Sequence, residues 1–376
     1  MPVLVPAGPD VPGEKGVVAA TVERPPTPEQ AAAIGAPGLV FVSAGAGTGK
    51  TTVLVERFVR AIEAGVDVGS ILVITYTDRA AAELRSRIRR RLAELGRPEL
   101  TRELDGAWIS TIHGFCTRLL RQYPFAAGLD PRFRVLDEAQ ASVLLVEAFD
   151  EALTKFCSGQ EPERLGLLAI YGSQALRRML TGVHETLRAA GRTLELSLGD
   201  APRLDQVALR AASSSSGAEN AARLIELLDR NPPAESLLDL SEYAVKGDDE
   251  YEQARQTAEQ AALNAVAARD RELLQELLLG FDRCYQAAKD RESALDYDDL
   301  QLRARDLLRD DETIREREQL RFRQVCVDEF QDTNRLQCEL IDLLARDELF
   351  FVGDEFQSIY RFRHADVEVF RERRER

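Results

Sequence analysis

Ser43-Ala44-Gly45-Ala46-Gly47-Thr48-Gly49-Lys50-Thr51-Thr52 follows the apolar run Gly38 to Val42 and opens a helix-forming stretch through Leu54, Val55 and Phe58. From Gly45 to Thr51 the spacing is GxxxxGK[ST], that of a phosphate-binding loop. Gly45, Gly47 and Gly49 let the backbone N–H groups wrap a β-phosphate, Lys50 reaches the β- and γ-phosphates, and the Thr51 hydroxyl holds Mg²⁺. Ala46, Thr48 and Thr52 fall in the same nucleotide-contacting stretch. The following helix adds the positive end of its dipole. A strand, a glycine loop and a helix in this order predict an α/β fold on a parallel sheet, with ATP and Mg²⁺ as ligands.

Outward from the loop, Thr27-Pro28-Glu29-Gln30 opens a short helix, with Thr27 as its cap and Pro28 in the first turn. A glutamine amide at Gln30 can pair with the N6 and N7 edge of adenine; alone, an exposed glutamine is simply exposed. Ile71 to Ile74 reads as a buried strand ending in Thr75-Tyr76-Thr77, and Trp108 to Thr111 as another running into Ile112-His113. Open parallel sheets carry their ligand site at such strand ends. Taken alone, His113 fits a polar core or capping role as well.

The strand Val325 to Val327 delivers Asp328-Glu329-Phe330-Gln331-Asp332. Adjacent carboxylates after a strand suit a Mg·ATP site: Asp328 holds the metal shell and Glu329 orients and deprotonates the attacking water. Leu349 to Val352 is a further strand, followed by Gly353-Asp354-Glu355-Phe356-Gln357, where the Gln357 amide can sense a γ-phosphate. Beyond it, Tyr360, Phe362 and Arg363 supply the pairing of stacking with charge that suits a single-strand channel. Phe362 alone would equally suit a core.

Length and charge bound the rest. With 376 residues, two or three domains are expected at roughly 100 to 200 residues each. The formal net charge of −15 argues against a protein that coats nucleic acid through a generally basic surface, though it leaves room for a basic cleft. Arg85, Arg87, Arg89, Arg90 and Arg91 form either a solvated helix face or a set of phosphate contacts. No apolar run approaches the roughly 18 residues of a membrane span, so no membrane partner is expected. Residues 1–26 lack a basic start followed by an apolar core and read as a loose leader. Five cysteines show no metal-ligand spacing, and the expectation is a cytoplasmic protein with reduced thiols. Residues 137–290 turn helix-rich, with leucines at helical spacing in Ala141 to Leu153, Ala221 to Leu228 and Leu273 to Cys284.

Together the motifs resemble one family, the UvrD/Rep-type superfamily 1 DNA helicases, and within it the AddA/RecB branch of recombination helicase-nucleases. TPEQAAAI, SAGAGTGKTTVLVER, ITYTDRAAAELRSRI, ISTIHGFCTRLLRQY, LDYDDL, VDEFQDTN and GDEFQSIYRFRHAD occur in the family's order, over about residues 27–136 and 295–370. The resemblance implies a RecA-like P-loop NTPase domain in two segments, residues 27–136 and 291–376, interrupted by a mainly helical inserted subdomain at 137–290. It implies 3′–5′ translocation on single-stranded DNA, action on duplex DNA in recombination and repair, and a partner subunit of a helicase-nuclease complex. By motif position, Gln30 recognises adenine, Lys50 and Thr51 bind phosphate and Mg²⁺, Glu329 is the base and Gln357 senses the γ-phosphate. Tyr76, His113 and Phe362 belong to the strand track, with Thr75, Thr111, Tyr360 and Arg363 beside them. The chain departs from the family at Asp78-Arg79, often Asn-Lys, and at Phe362, often Trp. Motifs of a second RecA-like domain, which bring arginine fingers to ATP, are not among these residues, so the resemblance implies the N-terminal part of a longer helicase. Two other classes stand beside it: an ATP-gated regulatory module that hydrolyses ATP without unwinding DNA, and an interaction protein without chemistry. Intact Lys50, Thr51, Asp328 and Glu329 weigh against the second.

Overall fold

Short runs of β-branched and aromatic residues form the strands β1 (Leu39–Ser43), β2 (Ile71–Thr75), β3 (Trp108–Thr111), β4 (Arg134–Val135), β5 (Ala294–Leu295), β6 (Gln324–Val327) and β7 (Leu349–Gly353). The structure is a computed structural model and describes residues 25–43, 45, 48–159, 161–196, 218–230, 232–245, 249–346 and 348–354. Five strands pair in parallel in the order β1-β7-β6-β2-β3. Their side chains alternate between two apolar layers. Leu72, Ile74 and Phe351 enter one core, while Ile71, Val73, Phe350 and Val352 enter the other. A sheet buried on both faces needs helices on both sides.

Those helices are α1 (Pro28–Gly35), α2 (Lys50–Glu63), α3 (Asp78–Glu94), α4 (Leu100–Glu103) and α5 (Ile112–Gln122) before the helical region. The region itself holds α6 (Glu138–Cys157), α7 (Pro162–Tyr171), α8 (Ser173–Ala189), α9 (Ala218–Asp229) and α10 (Asp249–Arg291). After it come α11 (Tyr297–Asp310), α12 (Glu312–Arg321) and α13 (Arg335–Leu344). On one face of the sheet, Val53, Leu54 and Phe58 of α2 pack with Leu84 and Ile88 of α3. On the other, Phe115 and Leu119 of α5 pack with Leu300 and Leu308 of α11 and Ile341 of α13. Each such side chain contributes about 1.5–3 kcal/mol when fully buried.

The helical region has its own cores. Phe149, Phe156, Leu176 and Phe281 join α6, α7, α8 and α10, and Leu224, Tyr243 and Tyr251 form a second cluster at the other end of α10. Its two chain connections are clamped at a neck. There β4 pairs β5 in parallel, Arg134 opposite Ala294 and Val135 opposite Leu295, and the Leu136 N–H donates to Leu295 O at 2.9 Å.

Beside the neck lies a buried charge cluster. Lys289, 1 % exposed, donates from Nζ to Asp296 Oδ2 at 2.7 Å and to Asp299 Oδ2 at 2.5 Å. Arg188 of α8 donates to Asp299 Oδ1. The same two aspartates cap α11 reciprocally, through Asp299 N to Asp296 Oδ1 at 2.7 Å and Asp296 N to Asp299 Oδ2 at 3.1 Å. Against the cost of burial, Lys289 and then Arg188 hold the Asp296 carboxyl well below its usual range. For Asp298 the balance is reversed: burial first, then the Asp296 charge, push it up to about 7.

Removing one partner of such a cluster strands charge in the interior. Lys289→Met should cost about 3–5 kcal/mol in urea unfolding, and a loss under about 1 kcal/mol would show that the cluster does not pin the neck. Asp298 carries a pH signature. Between 3.8, its ordinary value, and about 7 the folded chain keeps a proton that the unfolded chain has released, so stability falls as pH rises through that window. Asp298→Asn removes this loss. Its advantage over the parent should grow from near zero at pH 4 to on the order of 1–3 kcal/mol at pH 8, the difference to be read from urea midpoints. An advantage that does not vary with pH would contradict the assignment.

Candidate active site

Because all five strands are parallel, their carboxyl ends meet at one edge, and Ser43, Thr75, Thr111, Val327 and Gly353 each hand the chain to a loop there. At the first, Gly49 precedes α2 with φ 88°, a left-handed position that favours glycine. Thr48 closes the turn before it, its hydroxyl donating to Gly45 O at 2.8 Å. Gln30 is fastened against this turn. Its Nε2 donates to Thr48 O at 2.8 Å and its Oε1 accepts from Thr27 N at 2.9 Å, within the capping box of α1. Each end of the amide keeps one hydrogen-bonding position, one acceptor and one donor, which is what an adenine edge requires. Thr51 and Thr52 are half-buried in the first turn of α2.

Across the edge, Asp328 N–H donates to Ile74 O at 2.8 Å, carrying the pairing of β6 with β2 one residue beyond the strand. Glu329 then takes a left-handed conformation, φ 51° and ψ 45°, which costs a non-glycine residue about 1–2 kcal/mol. The turn aims its carboxylate at the phosphate loop. Lys50 Nζ lies 3.2 Å from Glu329 Oε2, joining residues 279 positions apart.

The donor set suits Mg·ATP. Burial, and then the charge of Glu329, push Asp328 up to about 6, and the same two causes raise Asp332 to about 6. Asp332 Oδ1 is buried with no hydrogen-bond partner. Carboxylates under this strain favour a divalent cation beside them. Among the described residues no three His, Cys, Asp or Glu side chains form a metal cage. Mg²⁺ does not need one, since it takes one or two carboxylates with waters and phosphate oxygens.

A cleft of about 870 Å³ runs from Asp328 and Glu329 past Tyr76, Thr111 and His113 to Arg188 of the helical region. Tyr76 and His113 are half-buried at its wall. His113 stacks on Tyr297, ring centroids 4.7 Å apart, and its Nε2 lies 2.9 Å from Gln301 Nε2. The two threonines have local tasks as well. Thr75, 3 % exposed, donates to Thr77 O at 3.2 Å, and the Thr111 hydroxyl caps α5 by accepting from Gly114 N at 3.2 Å. Ala46, Gly47, Gln357, Tyr360, Phe362 and Arg363 lie outside the described residues.

Most arginines of α3 turn to the protein itself. Arg85 donates to Ile109 O, Arg87 pairs with Glu83, Arg89 with Asp105 and Arg91 with Glu56. Sequence reasoning gave no role to Tyr297, Gln301 or Gln331. Tyr297 stood inside LDYDDL and Gln331 inside VDEFQDTN, but nothing in their spacing marks them as neighbours of His113 and Glu329.

A parallel sheet with a lysine loop facing an Asp-Glu pair defines a P-loop nucleotide-hydrolase domain. The chain belongs to the UvrD/REP helicase family: residues 26–376 match that family's N-terminal domain. It is 31% identical to the AddA component of an ATP-dependent helicase/nuclease from Pelotomaculum thermopropionicum, covering 96% of this chain and 36% of that protein. Proteins of the same name from Desulforudis audaxviator (32%; 89% of this chain, 35% of that one) and Geobacillus kaustophilus (30%; 92% and 36%) are similarly related. The chain spans about a third of the length of these curated relatives.

Gly49 links the loop to Gln30, since a Cβ there would sit 2.9 Å from Gln30 Nε2 as well as straining the backbone. Gly49→Ala should destabilise the chain by about 1–2 kcal/mol and displace Gln30. Thermal unfolding and the Gln30 side-chain amide resonances check this; an unshifted amide would refute the close approach.

Proposed function

We propose that this chain is the first motor domain of an ATP-dependent DNA helicase of recombination and repair, within a longer protein that moves 3′–5′ along single-stranded DNA. The observation that carries the proposal is the 3.2 Å approach of Lys50 to Glu329, which joins the phosphate loop to a carboxylate able to act on water. Lys50, Thr51 and the loop amides take the phosphates, while Thr51 and Asp328 hold Mg²⁺. The bound ion would draw charge from the phosphate oxygens. Gln30 presents its free donor and acceptor to the adenine edge. Glu329, released from Lys50 when that ammonium turns to phosphate, accepts the proton of the attacking water.

The cleft that starts at Glu329 and reaches Tyr76 and His113 supports a strand path beside the hydrolysis site. Tyr76 and His113 offer ring faces for bases, with Thr111 beside them. Residues 27–136 and 291–376 act as one motor unit and 137–290 as an inserted helical subdomain, with the neck of β4 and β5 as their join. The relatives are named as one component of a helicase/nuclease, which supports a protein partner in a complex with DNA. That name gives no support to a regulatory module that hydrolyses ATP without unwinding. Among the described residues no helix is long and apolar enough to cross a membrane, and we place the protein in the cytoplasm.

In the full-length protein, Lys50→Ala should lose a charge-assisted contact of about 1.5–3 kcal/mol in ATP binding. Glu329→Gln should retain binding and lower turnover by about 10² to 10⁴-fold. Calorimetry and steady-state ATPase rates with and without single-stranded DNA measure both. Turnover indifferent to DNA, or undiminished in Glu329→Gln, would sink the proposal.

A further inference from the structure

We propose that Gln331 is a positioning residue that fastens the Glu329 carboxylate to the end of β7. Gln331 is 3 % exposed, and its amide is used at both ends. Nε2 donates to Glu329 Oε2 at 2.8 Å, and Oε1 accepts the backbone N–H of Asp354 at 2.8 Å. It sits in the single turn Phe330–Asp332 that follows the left-handed Glu329. That turn is anchored from below: Phe330 packs on Phe351 of β7 with centroids 4.2 Å apart, and edge-on to Phe41 of β1 at 6.0 Å. The amide is therefore held in one place while it holds two other groups.

The geometry has a mechanical meaning. Glu329 Oε2 accepts from both Lys50 and Gln331. Once Lys50 turns to phosphate, the hydrogen bond from Gln331 still keeps the carboxylate aimed, against a backbone conformation that would otherwise relax. The same amide ties that carboxylate to Asp354, three residues before Gln357 in the sequence. Hydrolysis and the chain leaving β7 then share one rigid link. This inference rests on Glu329 being the base.

The test uses the full-length protein with Gln331→Met, which keeps the volume and loses both hydrogen bonds, and Gln331→Glu, which keeps an acceptor for Asp354 but faces Glu329 with like charge. Without nucleotide, hydrogen exchange at the Asp354 amide should speed at least 10-fold in Gln331→Met and stay slow in Gln331→Glu. Both variants should lower kcat by about 10- to 100-fold while the Kd for a non-hydrolysable ATP analogue stays within about 3-fold. The double variant Glu329→Gln/Gln331→Met should turn over no more slowly than Glu329→Gln alone, because a residue acting through Glu329 has nothing left to position. Losses that multiply, a parental kcat in Gln331→Met, or unchanged Asp354 exchange in that variant would overturn the inference. Parental turnover in Glu329→Gln alone would instead fail the base assignment, and the exchange measurement would still decide the Gln331 link.

Discussion

Five strands running in one direction impose the central constraint on this molecule. A parallel sheet cannot return by a tight hairpin, so every connection crosses a face and every strand releases its carboxyl end at the same edge. The phosphate loop, Tyr76, His113, Asp328 and Asp354 are thereby gathered from positions scattered over more than three hundred residues. Their meeting needs no long-range recognition beyond strand pairing and the two apolar layers that stabilise it. The strained turn at Glu329 is tolerated because β6 and β7 are fixed on either side of it by full burial.

Charge is arranged differently at the two functional margins. At the nucleotide edge the carboxylates Asp328 and Asp332 outnumber the compensation that Lys50 gives them, and burial raises both. At the neck, Lys289 and Arg188 face Asp296 and Asp299 at close range, so the cluster is internally balanced. The first margin is built to receive a cation; the second is built to stay closed. α11 touches both, since its first turn carries Asp296 and Asp299 at the cluster and Tyr297 against His113 at the cleft.

The sheet was legible because each strand is a short apolar run with a chemically distinctive end, and the phosphate loop named the fold that such runs must build. Helix α3 was ambiguous in sequence, since five arginines in seven residues fit a solvated face or a polyanion equally. Only the placement of Glu56 and Asp105, which lie far along the chain, assigns several of those charges. The neck was illegible for a related reason. Two-residue strands carry no periodicity, and the Lys289 to Asp299 bridge looks in sequence like ordinary charge at a helix end followed by a cap. Within the site, Lys50 and Glu329 announced themselves by motif. Gln331, whose importance lies only in what its two ends touch, did not.

The helix α10 is 43 residues long, roughly 65 Å from end to end. It is gripped near its C-terminus, by Lys289 in the charge cluster and by Phe281 and Tyr285 in the larger helical core, while its far end carries Tyr251 and the smaller core. A body held at one end is a pointer. A tilt of about 5° at the grip sweeps the far cluster through roughly 5 Å, a displacement larger than the one that causes it. The small core of Leu224, Tyr243 and Tyr251 thus works as the tip of a gauge, magnifying shifts at the neck that would be almost invisible at the cleft.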